Sequence, residues 1–335
     1  MAKIAVFSTQ AYDKQFFEKA NTQHTFEYFE NRLRPQTVNL AKGFDGVCVF
    51  VNDRINAETL QLLAEANIKL VALRCAGFNN VDLKEAKKQN IRILRVPAYS
   101  PEAVAEHALA LIMTLARKTH KAYNRVRDGN FSLVNLNGFI IHGKTVGVVG
   151  TGQIGKAFCK IMNGMGANII AYDKYPSEEL KQLGVTYTSL EEVLKSSDIV
   201  SLHCPLTPET HHIINKNSLS LMKKEAMLVN TSRGKLVDTS AVIDALREEK
   251  LGNLAIDVYE EEEKLFFRDL SETIIRDEQI SRLMVFPNVL VTAHQGFFTK
   301  ESMIQITQTT LKNIDDYMEG RKSENEVSCE MIKDC

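Results

Sequence analysis

The sequence predicts an α/β protein of two doubly wound parallel-sheet lobes, and three observations carry that expectation. Short runs such as Val47–Val51, Leu70–Leu73 and Thr145–Val149 are apolar without polar alternation, as strands buried on both faces are. Helical patterns stand between these runs, and strand–helix–strand order makes right-handed parallel crossovers the economical topology. The chain is also 335 residues long, which at ~100–200 residues per domain predicts about two domains.

In chain order, strands are expected at Ile4–Phe7, Val47–Val51, Leu70–Leu73 and Ile91–Val96, with helices over Ala57–Ala66 and Asp82–Gln89. Together they make a first lobe. Ser100-Pro101 then reads as an N-cap followed by proline at the first helical position. The helix it opens, Glu102 to Arg127, is apolar on more than one face through Val104, Ala105, Ala108, Leu111, Ile112 and Leu115. Such breadth calls for burial at a lobe junction or a subunit interface. Six further strands are expected, at Thr145–Val149, Asn168–Tyr172, Ile199–Leu202, Ala226–Asn230, Leu254–Val258 and Val289–Ala293. That series fits a doubly wound nucleotide-binding domain. Ile304, Thr307, Leu311, Ile314 and Met318 fall on one face of a last helix, and the polar tail after Gly320 is expected to fray.

Composition narrows the class of function. Hydrophobic residues at 44% and charged residues at 25% are those of a soluble globular chain that can bury a large core. A net charge of −1 offers no pull toward nucleic acid or an anionic membrane. The uncharged run His107 to Ala116 falls well short of the ~20 residues that span a bilayer. The N-terminus has too few consecutive apolar residues for a secretory leader. Cys48, Cys75, Cys159, Cys204, Cys329 and Cys335 form no CxxC pair, so neither a disulfide framework nor a zinc ribbon is indicated. The expectation is a soluble, cytoplasmic protein.

Gly150-Thr-Gly152-Gln-Ile154-Gly155 directly follows the strand Thr145–Val149 and opens a helix. In that context the first glycine makes the turn, the second lets a pyrophosphate approach the backbone, and the third packs helix on strand. Asp173 ends the next strand, eighteen residues after Gly155, where a carboxylate accepts hydrogen bonds from ribose hydroxyls. An acidic residue there repels a 2′-phosphate, so NAD is expected rather than NADP.

Further chemistry belongs at the carboxyl ends of the later strands. Arg233, in Thr231-Ser232-Arg233-Gly234, can present its planar fork to a carboxylate. Asp257 leads into Tyr259 and the run Glu260–Glu263, by default a solvated loop. His294, before Gln295-Gly296, is a natural general acid–base. Together these supply what reduction of a 2-keto acid needs: a hydride donor, a carboxylate clamp, and an acid with a carboxylate beside it.

These residues carry a resemblance. Through Val47–Asp53, Arg74–Asp82, Val96–Ser100, Gly150–Gly155, His203–Pro208, Asn230–Gly234, Asp257–Glu260 and Ala293–Gly296, the chain resembles the D-2-hydroxyacid dehydrogenase family over nearly its whole length. Within the family it looks most like the fermentative members that interconvert pyruvate and D-lactate. The resemblance implies a Rossmann dinucleotide-binding domain, residues 101–298, inserted in a flavodoxin-like substrate domain of residues 1–100 plus 299–335. It implies that Arg233 binds the substrate carboxylate, that His294 exchanges a proton with the carbonyl oxygen, and that Glu262 pairs with His294 and favours its protonated form. Ala76 and Gly77 then touch the carboxylate through their backbone, and Phe50 and Tyr99 line the substrate pocket. Cofactor contacts map onto Gly150, Gly152, Ile154, Gly155, Asp173, Cys204, Pro205, Thr210, Thr231, Ser232 and Asp257. The family often has asparagine where Thr210 stands. D-stereochemistry and a homodimer, with a higher homo-oligomer as the variant, come from the resemblance too.

Other readings compete. His203, Cys204, His211 and His212 invite a metal, but their spacing lacks a ligand pair, so none is expected. A phosphorylated substrate calls for extra cations, and the Cys75–Asn80 loop has none, although Arg74 precedes it. Formate oxidation needs no proton shuttle, which Glu262 and His294 would supply. A broader D-2-hydroxyacid dehydrogenase, such as one acting on D-2-hydroxyisocaproate, and a non-catalytic NAD(H)-sensing protein of the same fold stay open.

Overall fold

The structure, a computed structural model, describes residues 1–329; Cys335 and the end of the expected 299–335 segment lie outside the described residues. Two compact units divide the chain: Met1–Ser100 with the segment from Phe298 onward, and Pro101–Phe297.

The first unit opens with β1 (Lys3–Val6), α1 (Ala11–Ala20), β2 (Thr25–Tyr28), β3 (Gly46–Val49), α2 (Ala57–Glu65), β4 (Leu70–Leu73), α3 (Leu83–Lys88) and β5 (Arg92–Arg95). Its five strands are parallel in the order β2-β1-β3-β4-β5, the flavodoxin-like order. Strands β3 and β4 are buried along their whole length, which is why they read as unbroken apolar runs. Asn56 and Asp82 start α2 and α3 by accepting from the Thr59 and Glu85 amides. Two elements escape the apolar-run pattern. Strand β2 sits at the sheet edge with Thr25 and Glu27 exposed. Helix α1 is rich in charge and begins where Asp13 takes the Gln10 amide at 3.0 Å.

The second unit contains α4 (Pro101–Arg117), α5 (Thr119–Arg127), β6 (Thr145–Val149), α6 (Gln153–Gly164), β7 (Asn168–Tyr172), α7 (Glu178–Gln182), β8 (Thr186–Tyr187), α8 (Leu190–Ser196), β9 (Ile199–Leu202), α9 (Lys216–Leu221), β10 (Met227–Asn230), α10 (Thr239–Arg247), β11 (Asn253–Ile256), α11 (Glu278–Val285) and β12 (Val289–Val291). Its sheet has seven parallel strands, not six, in the order β12-β11-β10-β9-β6-β7-β8. The extra strand, β8, is a two-residue edge too short to show as a run. Chain progress reverses between β6 and β9, and the crevice beyond a reversal of this kind is where doubly wound sheets bind ligands.

The single helix expected over Glu102–Arg127 is two. Lys118 takes a left-handed φ of +52° and ends α4. The apolar breadth of α4 is covered within its own unit, because Ala105, Ala108, Leu111, Ile112 and Leu115 share a core with Val146, Val148, Phe158 and Met162. Ser100 does not adopt the extended backbone of an N-cap: its φ is +29°, and its amide donates to the Gln305 side chain at 3.1 Å.

The last helix, α12 (Lys300–Met318), packs on α1, β4 and β5 in the first unit. Its buried face runs through Met303, Ile306, Thr307, Thr310, Asn313 and Ile314, while Ile304 and Met318 are exposed. The expected stripe holds at Thr307, Leu311 and Ile314, which lie toward the core, and fails at Ile304 and Met318; polar residues share the inward face, where the Asn313 side chain donates to the Arg95 carbonyl at 2.8 Å. The expectation of a frayed tail after Gly320 is also corrected through residue 329. The Val327 amide donates to Ile93 O at 2.8 Å, the Arg95 amide donates to Asn325 O at 3.0 Å, and Arg92 pairs with Glu326 at 2.8 Å. The tail thus pairs antiparallel along β5 and covers an edge that would otherwise stand open. Among the described residues no helix is long and apolar enough to cross a membrane.

Candidate active site

The glycine turn lies at the carboxyl end of β6. Gly150 has φ +93°, and a Cβ there would stand 2.5 Å from the Cys204 amide nitrogen, so only glycine lets the β6 and β9 turns meet. A Cβ on Gly155 would stand 2.0 Å from the Gly150 carbonyl. Gly152 faces open space and starts α6 with no side chain capping its first amides. Those N–H groups and the positive end of the helix dipole suit a pyrophosphate, while Ile154, in the same first turn, packs against the unit's core. After β7, Asp173 accepts the Thr151 amide at 2.5 Å, the Thr151 hydroxyl at 3.0 Å and the Tyr175 amide at 2.8 Å, which hold its carboxylate beside the turn.

The turn after β9 is tied to the turn after β10. The Ser232 hydroxyl donates to the Cys204 carbonyl at 2.7 Å, and the Thr210 hydroxyl donates to the Pro205 carbonyl at 2.7 Å. Thr231 is buried with a hydroxyl that has no hydrogen-bond partner among the described residues, an orphan that a bound amide or hydroxyl would satisfy. Burial pushes the Cys204 thiol up to about 11, so it is an inert wall. His203, the most tempting metal ligand in the sequence, instead packs its ring against Phe158, with centroids 4.8 Å apart and planes tilted by 44°.

His294 and Glu262 are brought together. The His294 Nδ1 lies 2.8 Å from Glu262 Oε1, and the other carboxylate oxygen accepts the Tyr259 amide at 3.0 Å. A carboxylate only accepts, so Nδ1 carries the hydrogen and Nε2 is left for exchange with substrate. His294 itself has φ +55°, a conformation costly for a residue with a Cβ, and its amide is held by the Asp257 carbonyl at 2.7 Å. The glutamate run is only partly a solvated loop, since Glu260 also has partners in His212 at 2.7 Å and Thr239 at 2.9 Å.

Arg233 sits in the turn after β10, its guanidinium donating to the Ser232 carbonyl at 2.7 Å. No carboxylate among the described residues lies within ion-pair distance of it, which leaves its fork for a ligand. A Cβ on Gly234 would stand 2.1 Å from the Tyr259 carbonyl, so this glycine lets the arginine turn press against the turn leading to Glu262.

Asp257, expected to touch cofactor, is 1% exposed. Its carboxylate accepts Thr292 Oγ1 at 2.5 Å, the Gln295 amide at 2.9 Å and the Gly296 amide at 2.8 Å. Burial alone would raise its pKa; hydrogen bonds from His107 and Thr292 outweigh it and bring the value to about 2.

In the first unit, Phe50 follows β3, Ala76 and Gly77 follow β4, and Tyr99 follows β5, all at carboxyl ends. The Phe50 amide donates to Asp53 at 2.6 Å, and the buried Arg74 guanidinium lies 4.9 Å from the Phe50 ring centre. Arg74 also reaches the Phe7 and Ser8 carbonyls at 2.9 and 2.7 Å and pairs with Asp13 at 3.3 Å. The Cys75–Asn80 loop is not without a neighbouring cation. Arg95 on β5 donates to the Ala76 carbonyl at 2.8 Å and covers the Phe78 ring at 5.0 Å. Asp13, Asp53 and His107 were missed altogether, because nothing in their sequence surroundings marks a long-range partner.

A sheet that reverses at a glycine turn, with an Arg, a Glu–His pair and a ribose-side carboxylate at its strand ends, defines a dinucleotide-dependent dehydrogenase. Residues 109–296 match the family model described as D-isomer specific 2-hydroxyacid dehydrogenase, NAD binding domain. The chain is 48% identical to D-lactate dehydrogenase of Escherichia coli strain K12 over 327 residues, 97% of this chain and 99% of that protein. Its structure is similar to the apo structure of D-lactate dehydrogenase from Escherichia coli, with TM-score 0.89, 46% identity and coverage of 97% and 99%. It is also similar to D-lactate dehydrogenase from Aquifex aeolicus complexed with NAD and lactic acid, with TM-score 0.86, 35% identity and coverage of 95% and 96%. The chain belongs to the D-isomer-specific 2-hydroxyacid dehydrogenase family. It is an NAD-dependent oxidoreductase of 2-hydroxy acids.

Proposed function

We propose that this protein reduces pyruvate to D-lactate with NADH, reversibly, and that residues 1–100 with 299–335 serve the substrate while 101–298 hold the dinucleotide. When bound, the nicotinamide supplies the hydride to the keto carbon; the chain's own groups do the rest. The Arg233 fork binds the substrate carboxylate, assisted by the Ala76 and Gly77 backbone, and draws charge toward the keto oxygen. His294 Nε2 gives its proton to that oxygen and takes it back in the reverse direction, while Glu262 on Nδ1 stabilises the imidazolium. Gly150, Gly152, Ile154 and Gly155 would cradle the pyrophosphate, Asp173 would accept the ribose hydroxyls, and Cys204, Pro205, Thr210, Thr231, Ser232 and Asp257 would make the remaining contacts with the dinucleotide. Phe50 and Tyr99 limit the substituent on C2 to a methyl group.

The observation that carries this reading is the 2.8 Å His294–Glu262 pair at the end of the edge strand, a proton donor with its own counter-charge. Similarity to an enzyme solved with NAD and lactic acid supports the choice of substrate. The test is oxidation of NADH followed by absorbance with pyruvate present. Turnover with NADH and little with NADPH is expected; bound NADH with no turnover of any 2-keto acid would favour a nicotinamide-sensing protein instead. We also propose a cytoplasmic homodimer. Its support is a run of exposed apolar side chains, Tyr123, Val126, Phe131, Leu133, Val134 and Ile140, in the segment after α4.

A further inference from the structure

Behind the His294 turn stands a second histidine that no step of the reaction uses. His107, in the middle of α4, places Nε2 3.1 Å from Thr292 Oγ1 and 3.3 Å from Asp257 Oδ1. The Thr292 hydroxyl spends its single hydrogen on Asp257 at 2.5 Å, so its oxygen can only accept from His107. The carboxylate can only accept as well. Nε2 therefore carries a hydrogen shared between the two, and this ring is a donor locked on an almost fully buried anion.

That anion holds three consecutive residues. The Asp257 carbonyl takes the His294 amide at 2.7 Å, and its carboxylate takes the Gln295 and Gly296 amides at 2.9 and 2.8 Å. These bonds keep His294 in the left-handed conformation that a histidine does not choose unaided. The packing leaves no slack, since a Cβ on Gly296 would stand 3.0 Å from Asp257 Oδ2 and 3.4 Å from the His107 ring. We propose that His107 is a positioning residue for proton transfer: through Asp257 and Thr292 it fixes the turn that points His294 at Glu262 and at the substrate oxygen. Without that donor the carboxylate can turn toward other partners, the turn loosens, and His294 spends less time aligned. The inference rests on His294 being the proton donor.

His107→Leu removes the donor while filling its space, and His107→Gln restores an N–H at similar reach. For pyruvate reduction with NADH, we expect kcat of the leucine variant to fall by ~10-fold or more, as misplacement of a catalytic group by a fraction of an ångström does, with KM changed less than ~3-fold. The substrate carboxylate clamp is untouched, hence the split. His107→Gln should recover most of kcat. Should the leucine variant not fold, His107→Met carries the same comparison. A folded leucine or methionine variant with wild-type kcat overturns the proposal, as does a loss that glutamine fails to restore. If the wild type turns over no 2-keto acid, the functional reading fails by itself, and amide exchange at Gln295 and Gly296 decides the role of His107. Faster exchange in the leucine variant, slowed again by glutamine, upholds it; unchanged exchange overturns it.

Discussion

His294, the proton donor we propose, has a backbone conformation that few histidines adopt, and its ring is held on one side by a carboxylate. Two substitutions separate those contributions. His294→Gln removes the proton donor and should cut pyruvate turnover by at least ~10²-fold, the usual scale for a lost general acid. Glu262→Gln keeps the ring but removes the carboxylate that stands 2.8 Å from its Nδ1, so pyruvate turnover should fall, by less than in His294→Gln, while KM changes little. Wild-type turnover in Glu262→Gln would contradict the pairing. Arg233 and His294 stood out in the sequence because each sits just past a strand, where chemistry in this sheet type is expected, whereas Glu262 was singled out from its run of glutamates only by the resemblance, and the fold places it beside His294. Their supports were not legible. Asp257 is separated from His107 by most of a domain's length and from Gly296 by two elements, so only folding shows that all three share one cage.

At the scale of elements, the buried parallel strands were readable because burial on both faces removes polar residues from them. Edge strands β2 and β8 were not, since an edge tolerates polar residues and a strand of two leaves no pattern. Helix α12 was legible only at its middle: Thr307 and Ile314 face inward as the spacing has it, but Ile304 and Met318 are exposed, and Thr310 and Asn313 share the buried face, which apolar spacing does not find. Strand β9 carries a testable burden at its end. Burial pushes the His203 imidazole down to about 3, and its Nε2 lies 2.9 Å from the Ser201 hydroxyl. The folded value lies below the unfolded value of ~6.5, so the unfolded chain takes up the proton first on acidification. Stability is therefore intact above that pH and declines as pH falls toward 3, by about 2 kcal/mol between pH 7 and pH 5. Denaturant melts of wild type and His203→Leu at the two pH values check this. The wild type should lose more stability than the variant by roughly that amount, and equal losses would contradict it. At the end of β3, Phe50→Leu should weaken the preference for pyruvate and recover part of the activity toward 2-ketoisocaproate. Relief of an overpacking cost of ~1–3 kcal/mol sets the scale at roughly 5- to 150-fold. Unchanged selectivity in this variant would leave Phe50 as ordinary support for the Arg74 network.

For the molecule as a whole, the apolar side chains after α4 predict association. Light scattering at micromolar concentration should give twice the 37.7 kDa chain mass, and Phe131→Asp with Leu133→Asp should return it to one. A monomer in the wild type would remove the reason for that exposed segment. The two-lobed α/β plan was legible from strand–helix alternation and one glycine turn. The closing role of residues 321–329 was not, because edge pairing by a polar tail leaves no periodic trace. What joins residue, element and fold is a single claim about chemistry: hydride from NADH and a proton from His294 onto a keto acid small enough to sit beside Phe50. Steady-state kcat/KM for pyruvate and for 2-ketoisocaproate, measured side by side with saturating NADH, tests it most directly. Pyruvate should lead by roughly 5-fold or more. Equal efficiency with the two acids would make this a broad 2-hydroxyacid dehydrogenase, and no turnover of either would contradict proton and hydride transfer to a small keto acid outright.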